Sequence, residues 1–412
     1  IFFRSSAWRT APLAQRWREW LVQQEVEYRA NGRLVLLGDH TKAPKDGRKI
    51  PAVRTLHQDS QTASKPTFFQ GHHRGCVALL LKSADKCFAA SLEARIHEGL
   101  ELFEQLDGDH LPKTVRIVQM ARGPSCISAK PLTSSSTPIS PWAPFSSGCR
   151  GTQRYARSAP RTDPRKKNAV AYVRAPKKRK GKRGPQKQYG KKLKLMKLFG
   201  SRPHHFQTTE VTPYGKPEEV RYLALNLLWR PVQGEIRFIL TESSRGRILL
   251  VTFNLDMDSL LALELYSRRV TIEVLFDTLK NTQGGMGYHF WSQNLSPASR
   301  RPRKNDDQIQ DITNLENFRR TLEAIEKFVN LHLLVIGLLQ LMAIKIPGEV
   351  KAKVRCWLRT VSSNTPSEFV TRNAFANALM KNLTGLGQNP ITQVIHQKQK
   401  SHPNVCHYDD AA

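Results

Sequence analysis

YSRRVTIEVLFDTLK, Tyr266 to Lys280, has the apolar spacing of a helix and also places a Tyr, an Arg, a Glu and a Lys at offsets of zero, three, seven and fourteen. At roughly 100° per residue those four positions fall within an arc of about 60°. Tyr266, Arg269, Glu273 and Lys280 therefore share one face, and Leu261, Leu265, Ile272, Phe276 and Leu279 share an adjacent apolar one. A helix of this kind packs on a core while presenting an acid flanked by two cations and a phenol. A carboxylate between cations suits a metal ion together with nucleic-acid phosphates, the acid holding the ion and the cations the phosphate charge. The alternative is an ordinary charged stripe. The Glu–Lys separation is too long for a simple i,i+4 pair, so surface salt bridging explains the arrangement poorly.

The rest of the composition points the same way. The chain has 412 residues, enough for two or three domains, and a formal net charge of +31. A protein this basic meets a polyanion, most often nucleic acid; a ribosomal-type basic protein is the bland alternative. Cys76, Cys87, Cys126, Cys149, Cys356 and Cys406 form no C-x-x-C pair, which signals neither a zinc ribbon nor a redox motif and fits a reducing cytoplasm. The chain opens on Ile1 rather than Met, and no signal peptide is expected, so a fragment or a mis-called start is expected. Leu331 to Ile344 looks membrane-like, but His332 and Gln340 interrupt it, and a buried core helix is the better reading.

Along the chain, AWRTAPLAQRWREWLVQQEVEYRA reads as an amphipathic helix, the remnant of an earlier domain over 1–32. Leu34 to Leu37 is a short apolar run ending in Gly38 and Asp39, the way a buried strand delivers a polar residue to its carboxyl end. CVALLLKS (from Cys76) and KCFAAS (from Lys86) are further strand candidates, and LEARIHEGLELFEQL reads as a helix. From Arg122 to about Pro164 the chain is Ser- and Pro-rich without a usable period. Arg174 to Lys194 then holds eleven Lys or Arg and no acid, the charge pattern of a phosphate-backbone contact, or else a solvated loop. VRYLALNLLWRP, EIRFILTES and GRILLVTFN form a β-rich block with turn signals at Gln233-Gly234 and Arg245-Gly246. Helical segments follow from about Met257 onward, including LENFRRTLEAIEKFVNLHLLVIGLLQLMAI, VKAKVRCWLRTV and SEFVTRNAFANALMKNL.

Tyr266-(two)-Arg269-(three)-Glu273-(six)-Lys280 resembles the Y-R-E-K signature of DDE transposases from bacterial insertion sequences. GDHTKAPKDGRKIPAVRTLHQDSQTASKPTFFQGHHRG, KKNAVAY and GGMGYHFWS look like the same family, and the likeness covers most of Arg33 to Asn294. The resemblance implies an α/β fold. Its RNase H-like catalytic core carries a β-rich insertion, and a helical C-terminal region follows. The expected organisation is 33–165 for the first part of the core, with 122–164 disordered or frameshifted. A basic arm and the insertion take 166–256, the catalytic helix and completing helices 257–345, and a helical region with a tail 346–412.

The resemblance also implies roles for residues. Asp39 looks like the first metal-binding carboxylate and Glu273 the last, while Tyr266, Arg269 and Lys280 match the positions that contact DNA phosphates near the transposon end. The basic arm adds Lys177, Lys178, Arg179, Lys180, Lys182 and Arg183. Two Mg²⁺ ions about 4 Å apart are implied, with Mn²⁺ as a substitute, to hydrolyse the phosphodiester at the element's end and join the freed 3′ end to target DNA. Implied partners are transposon-end and target DNA and a second copy of the chain on it, with no membrane, in a bacterial cytoplasm at the nucleoid. A non-catalytic DNA-binding protein using the basic arm is the competing expectation. Among other residues, His40 and His57 are expected near Asp39 in structural roles. His72-His73 and His204-His205 are not expected to share an ion, because adjacent side chains leave a strand on opposite sides. Trp291 is expected to pack under the Gly284-Gly285 turn, with base stacking as the alternative.

One part of the family pattern is missing. The second Asp belongs at the end of a strand, in an apolar-Asp-aromatic context before KKNAVAY, and no such stretch exists. Asp163 precedes a proline, and Asp107 and Asp109 sit in a turn-like LDGDH, so none is assigned. The abrupt change of composition suggests two compensating frameshifts, near Met120 to Gly123 and near Arg165, leaving a transposase that is impaired or inactive. Reading the coding DNA between those points in the other frames is expected to recover an apolar strand ending in Asp and followed by aromatics. Finding none would make the segment a true divergence.

Overall fold

The computed structural model describes residues 2–58, 67–98, 113–122, 169–176, 186–211, 217–297, 312–354 and 364–384. The Ser/Pro segment and residues 177–185 of the basic arm lie outside these. The chain divides into two compact units, one of residues 1–82 and 87–335, the other of residues 83–86 and 336–412.

Two antiparallel sheets organise the first unit. After helix Thr10–Val22 come β1 (Arg29–Ala30), β2 (Arg33–Leu34), β3 (Leu36–Pro44), β4 (Arg54–His57), β5 (Phe68–Lys82) and β6 (Cys87–Ile96). β5 is central: β3 lies along one edge, and β4 and β6 pair with the other. From Gly71 to Leu81 β5 is buried without alternation, as expected of a strand covered on both faces. Asp39 sits opposite Cys76, four residues into β3 rather than at its end. LEARI, expected in a helix, instead completes β6, because Glu93 to Ile96 pair on into β5 across a register shift at Leu92. That tertiary pairing outweighs the local helix reading, and the two-residue spacing of Glu93 and Arg95 lets them pair on one face of the strand.

The second sheet takes β7 (Val170–Arg174), β8 (Tyr189–Lys194), β9 (Gln207–Val211), β10 (Glu218–Trp229), β11 (Gly234–Ser243) and β12 (Gly246–Thr252). Its order is β12-β11-β10-β7-β8, with β9 also on β10. Both turn signals hold. Trp229 pairs with Gly234 across one hairpin and Ser243 with Gly246 across the next, where Gly246 takes φ +110°. Leu223, Leu227, Trp229, Ile236, Phe238 and Leu240 lie in its core.

A helical stretch then begins at Ser259, capped by Asp258, whose Oδ2 accepts from the Leu261 amide at 2.9 Å. It packs on β3 and β6. Leu265, Ile272, Phe276 and Leu279 are buried as the spacing predicts. The helix Leu315–Lys345 is unbroken. It is long and apolar enough to cross a membrane, yet half of its most apolar window is buried within the protein. Asn330 on this helix closes the edge of β6: its Oδ1 accepts from the Ala94 amide (2.9 Å) and its Nδ2 donates to the Ala94 carbonyl (2.8 Å). In the second unit, Pro347–Ala352 and Glu368–Thr384 pack around Val350, Val370 and Ala374.

Phe238 is fully buried with its ring edge-on to Trp229. Phe238→Ala is expected to lower the free energy of unfolding by about 3–5 kcal/mol in chemical denaturation. A loss below about 1 kcal/mol would contradict this packing.

Candidate active site at Asp39 and Glu273

Asp39 leaves β3 on the face covered by the Ser259–Asp277 helical stretch. The helix that carries Glu273 is divided: Ser259–Arg268 and Val270–Asp277 are α-helical, and Arg269 occupies a tightened turn between them. There the Arg269 amide bonds the Tyr266 carbonyl (3.0 Å) and the Ile272 amide bonds the Arg269 carbonyl (3.2 Å), each a spacing of three. The Ser267 hydroxyl donates to the Glu264 carbonyl (2.6 Å) and the Thr271 hydroxyl to the Arg268 carbonyl (2.8 Å). Such hydroxyl bonds back along the helix bend it.

The turn directs Arg269 at the sheet. Its Nη2 lies 2.9 Å from Asp39 Oδ2 and 2.9 Å from Glu273 Oε1. One nitrogen thus touches both carboxylates, and the two oxygens lie within twice that distance of each other. Burial works against the charge on Arg269, but Asp39 and then Glu273 outweigh it and hold its pKa above the ordinary value. Tyr266 is close enough to act in the same direction. Asp39 Oδ1 also accepts from the His40 amide (2.8 Å). The structure therefore brings together Asp39, Arg269, Glu273 and Tyr266.

Lys280 lies in a π-helical segment, Thr278–Thr282, closed by a bond from the Gln283 amide to the Thr278 carbonyl (2.9 Å). Lys280 thus follows Glu273 across a change of helical winding, beyond the tightened turn at Arg269. Lys177, Lys178, Arg179, Lys180, Lys182 and Arg183 lie outside the described residues, as do Asp107, Asp109 and Asp163.

The histidines lie elsewhere. A Cβ on Gly38 would come within 2.6 Å of Ile117 on the Lys113–Arg122 helix, so Gly38 and His40 face that helix, away from Asp39. His40 Nε2 meets His97 Nδ1 at 3.1 Å, and its ring stacks on His73 at 4.8 Å. His72 points the other way, as expected of its neighbour. His57 packs edge-on to Phe68. Among the described residues, no group of three or more His, Cys, Asp or Glu is arranged to hold a metal ion. Trp291 is 53% exposed rather than packed under the glycine turn.

Sequence reasoning missed a buried network that ties two of the quoted segments together, the one from Gly38 to Gly75 and the one from Gly284 to Ser292. His72 Nε2 donates to the Pro51 carbonyl (2.7 Å), and Nδ1 accepts from the Tyr288 hydroxyl (2.6 Å). Arg74 Nη2 donates to the same hydroxyl (3.1 Å). Lys45 lies over the Tyr288 ring, 3.8 Å from its centre, and donates to the carbonyls of Met286 and Tyr288. The pattern of apolar and polar residues gave no signal for it, because the partners lie more than 200 positions apart.

Comparison with known proteins adds no relative: no family model matches the chain, and neither does any curated protein.

Burial, and then the Arg74 charge, push His72 down to about 3 from an ordinary value of 6.5. The unfolded chain binds this proton between those values and the folded one does not, so stability from His72 is complete above pH 6.5 and is lost as pH falls toward 3. Between pH 6 and 4, wild type is expected to lose stability with a slope approaching about 1.4 kcal/mol per pH unit beyond that of His72→Gln. Parallel profiles for the two proteins would contradict a neutral, buried His72.

Proposed function

We propose that this chain is a DNA transposase by descent, with a Mg²⁺-dependent phosphodiester site at Asp39 and Glu273 that is impaired because the second catalytic Asp is missing. The observation that carries the reading is the bridge through Arg269 Nη2 between two carboxylates from distant parts of the chain. Further support comes from the order of elements. An antiparallel β3-β5-β6 layer carries the first acid, a β-rich block follows, and then a helix on the same layer carries the last. This is the order expected of an RNase H-like core with an insertion. Among the described residues β3 pairs with β5 alone, which leaves its other edge for a further strand bearing the second Asp.

The donor set fits one hard cation: two carboxylates supply oxygen ligands, and substrate phosphate and water complete such sites. Asp39 and Glu273 would hold the ion, which supplies Lewis-acid polarisation of the phosphate and activation of the attacking oxygen. Arg269, about one third exposed beside them, would bind phosphate oxygens through its planar fork of donors. Tyr266 would add a hydroxyl to the same phosphate. The net charge of +31 would draw DNA to the protein by releasing counterions. A cytoplasmic, nucleoid-associated protein that pairs DNA ends as at least a dimer follows from this reading.

The test uses two proteins. The chain as written is expected to bind DNA and to show no strand transfer. A chain in which the missing strand and its Asp are restored is expected to cleave DNA in Mg²⁺, with Asp39→Asn and Glu273→Gln each lowering the rate by about a thousandfold or more. DNA binding without cleavage by the restored chain would favour the non-catalytic reading. Cleavage indifferent to Asp39 would refute the site.

A further inference from the structure

We infer that Arg269 is a displaceable internal cation: its guanidinium occupies the position between Asp39 and Glu273 that a divalent ion would take, and leaves it when a DNA phosphate engages its fork. The inference rests on the proposed function, and adds that metal and DNA binding are coupled through one side chain.

The geometry sets up a competition. Both contacts to the carboxylates run through a single nitrogen, Nη2, to Asp39 Oδ2 and Glu273 Oε1. A magnesium ion binds carboxylate oxygens at about 2.0–2.1 Å. An ion between those two oxygens would compete with Nη2 for their lone pairs and be repelled by the guanidinium charge beside it. Arg269 in this position therefore opposes an ion that uses both.

The side chain is suited to moving. It is about one third exposed, and its Glu273 partner is half exposed. A partly solvated ion pair is a shallow trap, worth far less than the apolar packing around Ile272 and Phe276, both buried. Departure of the side chain therefore leaves the helix on the sheet. A phosphate offers the fork two oxygens in the geometry it prefers. Once Arg269 turns to phosphate, Asp39 and Glu273 repel each other with no cation between them, and their affinity for a divalent ion rises. By linkage, an ion between the carboxylates raises affinity for phosphate by the same factor.

The experiment measures Mn²⁺ binding to the full chain by electron paramagnetic resonance, with and without a short DNA duplex. Asp39→Asn and Glu273→Gln identify the carboxylate-dependent sites. Arg269→Gln is expected to bind Mn²⁺ about tenfold more tightly than wild type without DNA. The tightening that DNA produces in wild type is expected to shrink by the same factor in the variant. Thermal melts establish that the variant is folded, and Arg269→Lys, which keeps the charge on a shorter reach, is expected to fall between the two. Equal Mn²⁺ affinity in wild type and Arg269→Gln would overturn the inference and leave the ion site standing. So would a tighter site with unchanged DNA coupling, since that marks a fixed neighbouring charge. Mn²⁺ binding indifferent to both Asp39→Asn and Glu273→Gln would overturn the proposed function as well.

Discussion

One guanidinium nitrogen holds two carboxylates, and the rest of the candidate site depends on it. Asp39 and Arg269 are 230 positions apart in the chain, and Glu273 lies one helical turn beyond Arg269. The ion pairs themselves do not create this proximity. A half-exposed i,i+4 pair is worth about 0.3–0.5 kcal/mol, whereas each large apolar side chain buried beneath the helix is worth about 1.5–3 kcal/mol. Burial of Ile272, Leu275, Phe276 and Leu279 sets the helix on β3 and β6. The tightened turn at Arg269 then aims the guanidinium. Without that cation, Asp39 and Glu273 would present two like charges at close range, a cost relieved only by another cation or a proton.

The network around Tyr288 holds the surrounding scaffold. Lys45 follows directly from the strand that bears Asp39, His72 and Arg74 belong to its neighbour β5, and Tyr288 belongs to the loop that follows the Glu273 helix. The segment after β3, strand β5 and the loop after the helix therefore meet at one buried phenol. Its hydroxyl accepts from Arg74 and donates to His72, so both bonds are made only with His72 neutral. Glu326 shares this buried region: burial raises its pKa and the Arg74 charge opposes that rise.

Much of the fold was legible in the sequence, because the apolar runs and glycine turns are local signals. β10, β11 and β12 lie where alternation and the Gln233-Gly234 and Arg245-Gly246 turns put them. The limits lie where distant pairing decides. LEARI reads as the start of a helix, yet the edge of β5 takes it as strand. A Trp beside a glycine turn suggested packing, but Trp291 stands exposed. The Glu273 face was legible from 3.6-residue periodicity, but the tightened turn at Arg269 and the π turn after Asp277 were not, since neither has a comparable sequence signature. The bridge by Arg269 was beyond reach for a different reason. Periodicity places Arg269 beside Glu273 but says nothing of which strand lies opposite.

The most direct test of the account is where a bound ion sits. Fe²⁺ substituted for Mg²⁺, with ascorbate and peroxide, generates hydroxyl radicals that cut the backbone around the bound metal. The account predicts two cuts competed by Mg²⁺, one in β3 beside Asp39 and one in the helix beside Glu273, both lost in Asp39→Asn. Cuts at only one of these segments, or cuts that Mg²⁺ does not suppress, would contradict a shared metal site.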